Sequence, residues 1–216
     1  MLFNISSWQE LVYRLVGVIL ALTVHEFSHG FAAYLLGDKT AKAEGRLSLN
    51  PAKHVDIFGA IMLLLVGFGW AKPVSVNPWR FKKPKAGMAI SAFAGPFSNF
   101  LAAFIFYIIA LIVQINFYGV GIAKNIIEFL VVCISINIGL GIFNLIPIPP
   151  LDGSRIFLVF LPEKQYFRIM QYERYAMIAL MVLLFLNILD KPLMVLTQAM
   201  WGVIETGAVA IVSLFL

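Results

Sequence analysis

Apolar positions in this chain fall in long unbroken runs separated by short polar stretches, and the runs set the elements. The first, about residues 11–36, exceeds the roughly 20 residues a helix needs to cross a bilayer and is closed by Gly37-Asp38. Further spans are predicted at about 88–115 and 125–146. Two more follow at about 175–189 and 193–216, joined by Asp190-Lys191-Pro192. The third span stops at Pro147-Ile148-Pro149-Pro150, because proline removes backbone donors and breaks a helix. Residues 57–70 are apolar but short and glycine-rich, which fits a re-entrant or interfacial segment better than a span. Pro73-Val74-Ser75-Val76-Asn77-Pro78 alternates like a strand between prolines and predicts an exposed edge strand or hairpin. The pattern therefore gives an all-α polytopic membrane protein of about five transmembrane helices, with a re-entrant or β-hairpin loop.

Composition agrees. Of 216 residues, 61% are hydrophobic and 12% charged, about half the charge of a soluble domain, and mean hydropathy is +0.92. No second sizeable soluble domain fits, so residues 1–216 read as a single membrane-embedded domain. The net charge of +5 does not point to nucleic acid, since the basic residues cluster between apolar runs. Residues 37–87 hold nine of the 16 lysines and arginines, and residues 148–174 hold four. With both loops cytoplasmic, the N-terminus lies outside and the C-terminus inside a multi-pass cell-membrane protein. Cys133, the single cysteine, excludes an internal disulfide framework. Met1-Leu2-Phe3-Asn4 lacks a basic region, and no cleavable leader is expected.

One stretch puts ionisable groups where the bilayer penalises them. His25-Glu26-Phe27-Ser28-His29 lies inside the first span. On a helix, His25 and His29 stand one turn apart on the same face, so both imidazoles can reach one metal ion, and Glu26 is placed to act as general base on a water activated there. The alternative, a buried polar cluster paired within the bundle, would bury three ionisable groups for packing alone.

A catalytic zinc takes three protein ligands and leaves one position open. Asp152 is the candidate third ligand: the charge-derived topology puts it at the depth of the histidines, and Pro149-Pro150 and Gly153 flank it with backbone able to turn. It reads equally well as the N-cap of the short helix that follows. His54 as a fourth ligand would close the open position, so it reads as a surface-loop histidine, or one bonding Asp56 or a substrate. Asn144 can aim an amide at the metal site, but from position alone Asn144, Asn137 and Asn99 read as hydrogen-bonding groups within the bundle. Gly95-Pro96 suggests tight packing at a helix start. The segment of Val74 and Val76 can pair with an extended peptide.

Assembled, these residues resemble the site-2 protease family of intramembrane zinc metalloproteases. The matching elements are His25-Glu26-Phe27-Ser28-His29, Ala94-Gly95-Pro96 with Asn99, and Asn144-x-x-Pro147 leading to Leu151-Asp152-Gly153. Asn50-Pro51-x-x-His54-x-Asp56 and Gly69-Trp70-Ala71-Lys72-Pro73-Val74 are similar to the compact bacterial type without a PDZ domain. The resemblance spans about residues 20–155, within a three-helix catalytic core at about 10–160; the extra helices at about 172–216 carry no motif. It implies one zinc per chain on His25, His29 and Asp152, with Glu26 as the base. It also implies Asn144 as a transition-state or substrate-binding residue, and cleavage in or near the transmembrane segments of membrane-anchored substrates. Ser75 departs from the pattern, standing where a second proline is expected. A metal transporter or sensor using the same ligands is the competing class, and a silent homologue acting as a binding partner a third. Convergence of the ligands at one depth and the presence of Glu26 favour the peptidase.

Overall fold

The computed structural model describes residues 7–66 and 71–215; Gly69-Trp70 and the first residues of the chain lie outside these. The first helix, α1 (Trp8–Leu35), starts where the Ser7 side chain accepts the Glu10 N–H, an N-cap. It ends at Gly37, whose φ of 102° suits a residue without a Cβ. A polar connection carries α2 (Thr40–Ala43), a 3₁₀ turn at Pro51–Lys53, α3 (Ile57–Val66) and a second 3₁₀ turn at Pro78–Arg80. Then come α4 (Pro84–Asn116), α5 (Gly121–Asn144), α6 (Asp152–Leu158), α7 (Glu163–Gln171), α8 (Glu173–Phe185) and α9 (Asp190–Val212).

Four of these helices, α1, α4, α5 and α9, are long and apolar enough to cross a membrane. Helix α8, in the region of a predicted span, has 13 residues, about 20 Å at 1.5 Å per residue, against a hydrocarbon core of about 30 Å. Helix α4 also begins earlier than its hydropathy suggests, at Pro84. Gly95-Pro96 therefore lies inside the helix and not at its start.

Helix α4 is the hub, packing against α1, α5, α6 and α9. Lipid tails are as apolar as leucine, so helices in a membrane are held by close packing and by polar contacts more than by a hydrophobic drive. Small residues at the crossings permit the packing. A Cβ on Gly141 of α5 would come within 2.5 Å of the Phe100 ring, and one on Gly17 of α1 within 2.8 Å of Ile136. Ala103, Ile134, Ile138, Ile142 and Ile204 form the apolar centre between α4, α5 and α9, with Tyr107 and Trp201 in edge contact beside it. On the outer face of α4, Ile90, Phe93, Phe97, Leu101 and Ile105 recur at helical spacing and stay exposed, as a lipid-facing stripe does.

No strand occurs among the described residues, so the predicted hairpin is not formed there. Residues 71–77 instead carry no helix, strand or turn, and their alternating burial is that of an extended chain. The predicted alternation is kept: Val74 is buried, Val76 half-buried and Ser75 exposed. Three ties replace a sheet partner. The Lys72 N–H donates to the His54 carbonyl at 2.7 Å, the Val74 N–H to Glu26 Oε2 at 2.9 Å, and the Asn77 N–H to Asp38 Oδ2 at 2.7 Å.

Asp38, read from sequence only as a helix terminator, is fully buried. Its carboxylate also accepts from the Thr40 N–H at 3.0 Å and the Thr40 hydroxyl at 2.5 Å, with Arg80 at 3.9 Å. Burial alone would push this carboxyl up. The Thr40 and Asn77 donors and the Arg80 charge outweigh it and hold the pKa below its ordinary value.

Candidate metal centre

Helix periodicity puts His25 and His29 on α1 at the face turned toward α4 and α6, with Glu26 next to them against Val74. Asp152 is brought to them by the turn after α5. It occupies the first position of α6, with Leu151 as the capping residue, and its side chain makes no cap bond. Instead Asp152 Oδ2 lies 3.1 Å from His25 Nε2 and 3.2 Å from His29 Nε2. One ligand atom from each of the three residues lies within 4.8 Å of the others.

The hydrogen bonds behind the histidines determine what these atoms offer. His29 Nδ1 is 2.8 Å from the Ser91 carbonyl, which only accepts, so Nδ1 carries the proton. His25 Nδ1 is 2.6 Å from Asn99 Oδ1. The Asn99 amide nitrogen gives one proton to the Ala21 carbonyl at 3.2 Å and one to Asn137 Oδ1 at 2.9 Å. Asn137 in turn donates to the Cys133 carbonyl at 2.8 Å. That chain of donors fixes the Asn99 amide with its oxygen toward His25, so His25 Nδ1 is also a donor. In the neutral form of each ring, Nε2 then presents a lone pair toward the Asp152 carboxylate. With neutral imidazoles three acceptors converge, an arrangement that repels itself unless a cation, either a metal ion or a proton on an imidazole, sits among them. Two imidazoles and one carboxylate suit zinc, so the donor set fits the metal that the motif implies.

Close approach of α4 to these histidines depends on Gly95. A Cβ there would fall 2.5 Å from His29 Nε2 and 2.7 Å from His25 Cε1. Gly153 has a comparable role behind Asp152, where a Cβ would strike the Leu145 backbone carbonyl.

Beside the donor set lies a cavity of about 230 Å³, whose lining includes Glu26, Val74, Val76, Asn144 and Arg155 as well as the three donors. Glu26 is buried, with Oε2 held by the Val74 N–H. Asn144 lines the cavity while its amide nitrogen donates to Leu140 on its own helix at 3.0 Å. Asn99 and Asn137, read as bonding within the bundle, do so, and Asn99 additionally anchors the His25 ring.

His54 does not join the cavity. It is fully buried rather than at a loop surface, with Nε2 2.6 Å from the Ser48 carbonyl. Asp56, its suggested partner, caps the Gly59 N–H at 2.9 Å instead. The His54 backbone carbonyl also joins the 48–56 turn to Lys72. Sequence reasoning missed the Ser91 carbonyl and the Asp38 tie, since neither a backbone oxygen nor a loop aspartate leaves a distinctive pattern. The Asn99–Asn137 pair had a signal: two amides deep within apolar runs.

Comparison with known proteins agrees with this construction. The model of Peptidase family M50 matches residues 13–125 and 111–189. YwhC of Bacillus subtilis (strain 168), named as a zinc metalloprotease, is 38% identical over 207 residues, covering 94% of this chain and 90% of that protein. A relative from Methanocaldococcus jannaschii with the same description is 33% identical over 160 residues, covering 72% of this chain and 75% of its own. No solved structure matches. Family match, apolar helices and converging donors together identify the chain as a membrane metalloprotease of Peptidase family M50, the site-2 protease family.

Proposed function

We propose that this chain is an intramembrane endopeptidase that binds one zinc per molecule through His25, His29 and Asp152 and cuts peptide bonds in or near the transmembrane segments of membrane-anchored proteins. The observation that carries the reading is the convergence of three lone-pair donors beside a buried Glu26 in a helix long and apolar enough to span a bilayer. A zinc ion there supplies Lewis-acid chemistry, polarising a carbonyl and acidifying water toward a pKa of roughly 7. Glu26 receives the proton of the attacking water and hands it to the departing amine, a general base that becomes a general acid. Its Oε2 is engaged by the Val74 N–H, which leaves Oε1 for the proton.

The extended 71–77 segment gives the substrate a place to lie. Helical peptide bonds are shielded by their own hydrogen bonds, so a substrate helix must unwind before it can be cut. An extended backbone alongside can replace the bonds lost. Val74, Val76 and Asn144 all line the cavity, and in this reading Asn144 holds the carbonyl oxygen as charge develops. Regulated proteolysis of particular membrane-anchored substrates is part of the proposal. So is the orientation, with the N-terminus outside and the active site toward the cytoplasmic side, supported by thirteen of 16 basic residues in two loops on one side.

The test measures zinc in the purified protein beside Asp152→Ala. About one zinc per chain in the wild type and a much weakened content in the variant is the expected result. Full retention by the variant removes Asp152 from the ligand set, and a metal-free wild type ends the reading.

A further inference from the structure

The cavity holds one permanent cation that the metal site does not use. Arg155 lies one turn after Asp152 on α6, so the two project from the same face, and it lines the cavity half-buried. A guanidinium stays charged at any accessible pH, and withdrawing it partly from water with no opposite charge beside it is costly. Yet Arg155 makes no hydrogen bond or ion pair among the described residues. Asp152, the nearest carboxylate along α6, turns its Oδ2 between the two histidines, and Glu26 gives Oε2 to Val74. An electrostatic neighbour of Arg155 is the buried Tyr166 phenol, whose pKa burial raises and the Arg155 charge draws back. A neutral phenol does not compensate a cation.

Resting on the peptidase reading, we propose that Arg155 is a specificity-determining residue that binds a carboxylate of the peptide in the cavity. The planar fork of the guanidinium matches a carboxylate with two parallel hydrogen bonds, and an unpaired fork facing a cavity is arranged for such a ligand. That carboxylate has two sources: the side chain of an acidic residue near the bond to be cut, or the new C-terminus of the released product. Either way, an otherwise apolar substrate segment would be selected by one negative charge.

The experiment uses the zinc-loaded full chain in detergent with dye-labelled apolar peptides bearing a hydroxamate, a group that anchors to zinc. One series carries Glu or Gln at successive positions; a second, without hydroxamate, ends in a free carboxylate or an amide. Affinities are compared for wild type, Arg155→Gln and Arg155→Lys, with zinc content determined on each sample. In wild type the expected result is at least about tenfold tighter binding of the carboxylate member in one series, the scale of a charge-assisted hydrogen bond. That preference should vanish in Arg155→Gln and return in part in Arg155→Lys, at equal zinc content.

A preference in the Glu series assigns the side chain, and one in the free-acid series assigns the product terminus. Equal binding of both members in both series, with zinc present, overturns the proposal alone. Loss of co-purifying anionic phospholipid from Arg155→Gln, with peptide preferences unchanged, makes Arg155 a headgroup ligand and overturns it too. A wild type that binds no zinc removes the peptidase reading, and this inference with it.

Discussion

Asn99 touches three helices: it accepts from His25 on α1, donates to the Ala21 carbonyl on α1, and donates to Asn137 on α5 while belonging to α4. An amide can do this because it has separate donor and acceptor ends, and the donor end leaves only one orientation for the oxygen. Replacing it by leucine of similar size removes the anchor on His25 Nδ1. Partners of this kind are commonly worth 10- to 100-fold in metal affinity, so Asn99→Leu should lose zinc to a chelator at correspondingly lower concentrations. Unchanged competition would show that packing alone orients the ring. Gly95→Ala tests the same site from the steric side. A methyl placed 2.5 Å from His29 must push α4 away or turn the imidazole, at about 1–3 kcal/mol for overpacking. The expected outcome is a folded protein with reduced zinc content, read by metal analysis beside thermal unfolding. At this scale the sequence was informative wherever chemistry sits in side chains of unusual type: His25, Glu26, His29 and Asp152 stood out. The Ser91 carbonyl did not, because every residue has one, and His54 misled because its burial comes from a loop closure no local pattern shows.

The boundaries of α1 and α5 came within four residues of their hydropathy, since bilayer thickness imposes a length on any apolar run. The segment at 71–77 kept its predicted alternation but not a hairpin, because its backbone partners are the His54 carbonyl and two carboxylates rather than another strand. Asp38 is one of these. Asp38→Ala would leave the Asn77 and Thr40 N–H groups without their acceptor in a buried site, costing roughly 1–3 kcal/mol for an unsatisfied group. It should make the 71–77 loop easier to cut by an added protease. The folded pKa of Asp38 is below its unfolded value, so the carboxylate contributes stability that is fully present above the unfolded pKa of about 4. That contribution fades as pH falls through the lower folded value. In acid, wild type should therefore converge on Asp38→Ala in loop protection; a gap that persists at low pH would mean that charge is not what holds Asn77.

Considered whole, the molecule is a helical bundle in which the candidate metal donors come from two parts of the chain more than a hundred residues apart: His25 and His29 on α1, Asp152 on α6. A ligand that binds the native state and not the unfolded one stabilises it by mass action, about 2.7 kcal/mol at one hundred times Kd. Adding zinc to metal-stripped protein should raise the unfolding temperature of wild type and leave Asp152→Ala nearly unmoved. Equal shifts in both proteins would place the stabilising ion elsewhere. The depth agreement between the two pieces was foreseeable from basic residues alone, because charge fixes the side of each loop. The role of α9 was not: it packs on α4 and α5, yet nothing in its sequence distinguishes a packed helix from a lipid-exposed one.

The ties at Val74 and Asn77 turn the short stretch between them into a caliper. One jaw closes on Glu26, the group proposed to move the proton, and the other on Asp38 at the end of the same helix. Three residues of extended chain span about 10 Å, and with that count both jaws are shut. A peptide laid along this stretch would be measured from the base itself, so that the cut falls at a fixed count from the first bond it makes with the loop, whatever its side chains. One extra residue between Val74 and Asn77 would open a jaw and shift where the enzyme cuts, as a misprinted ruler shifts every mark beyond the error.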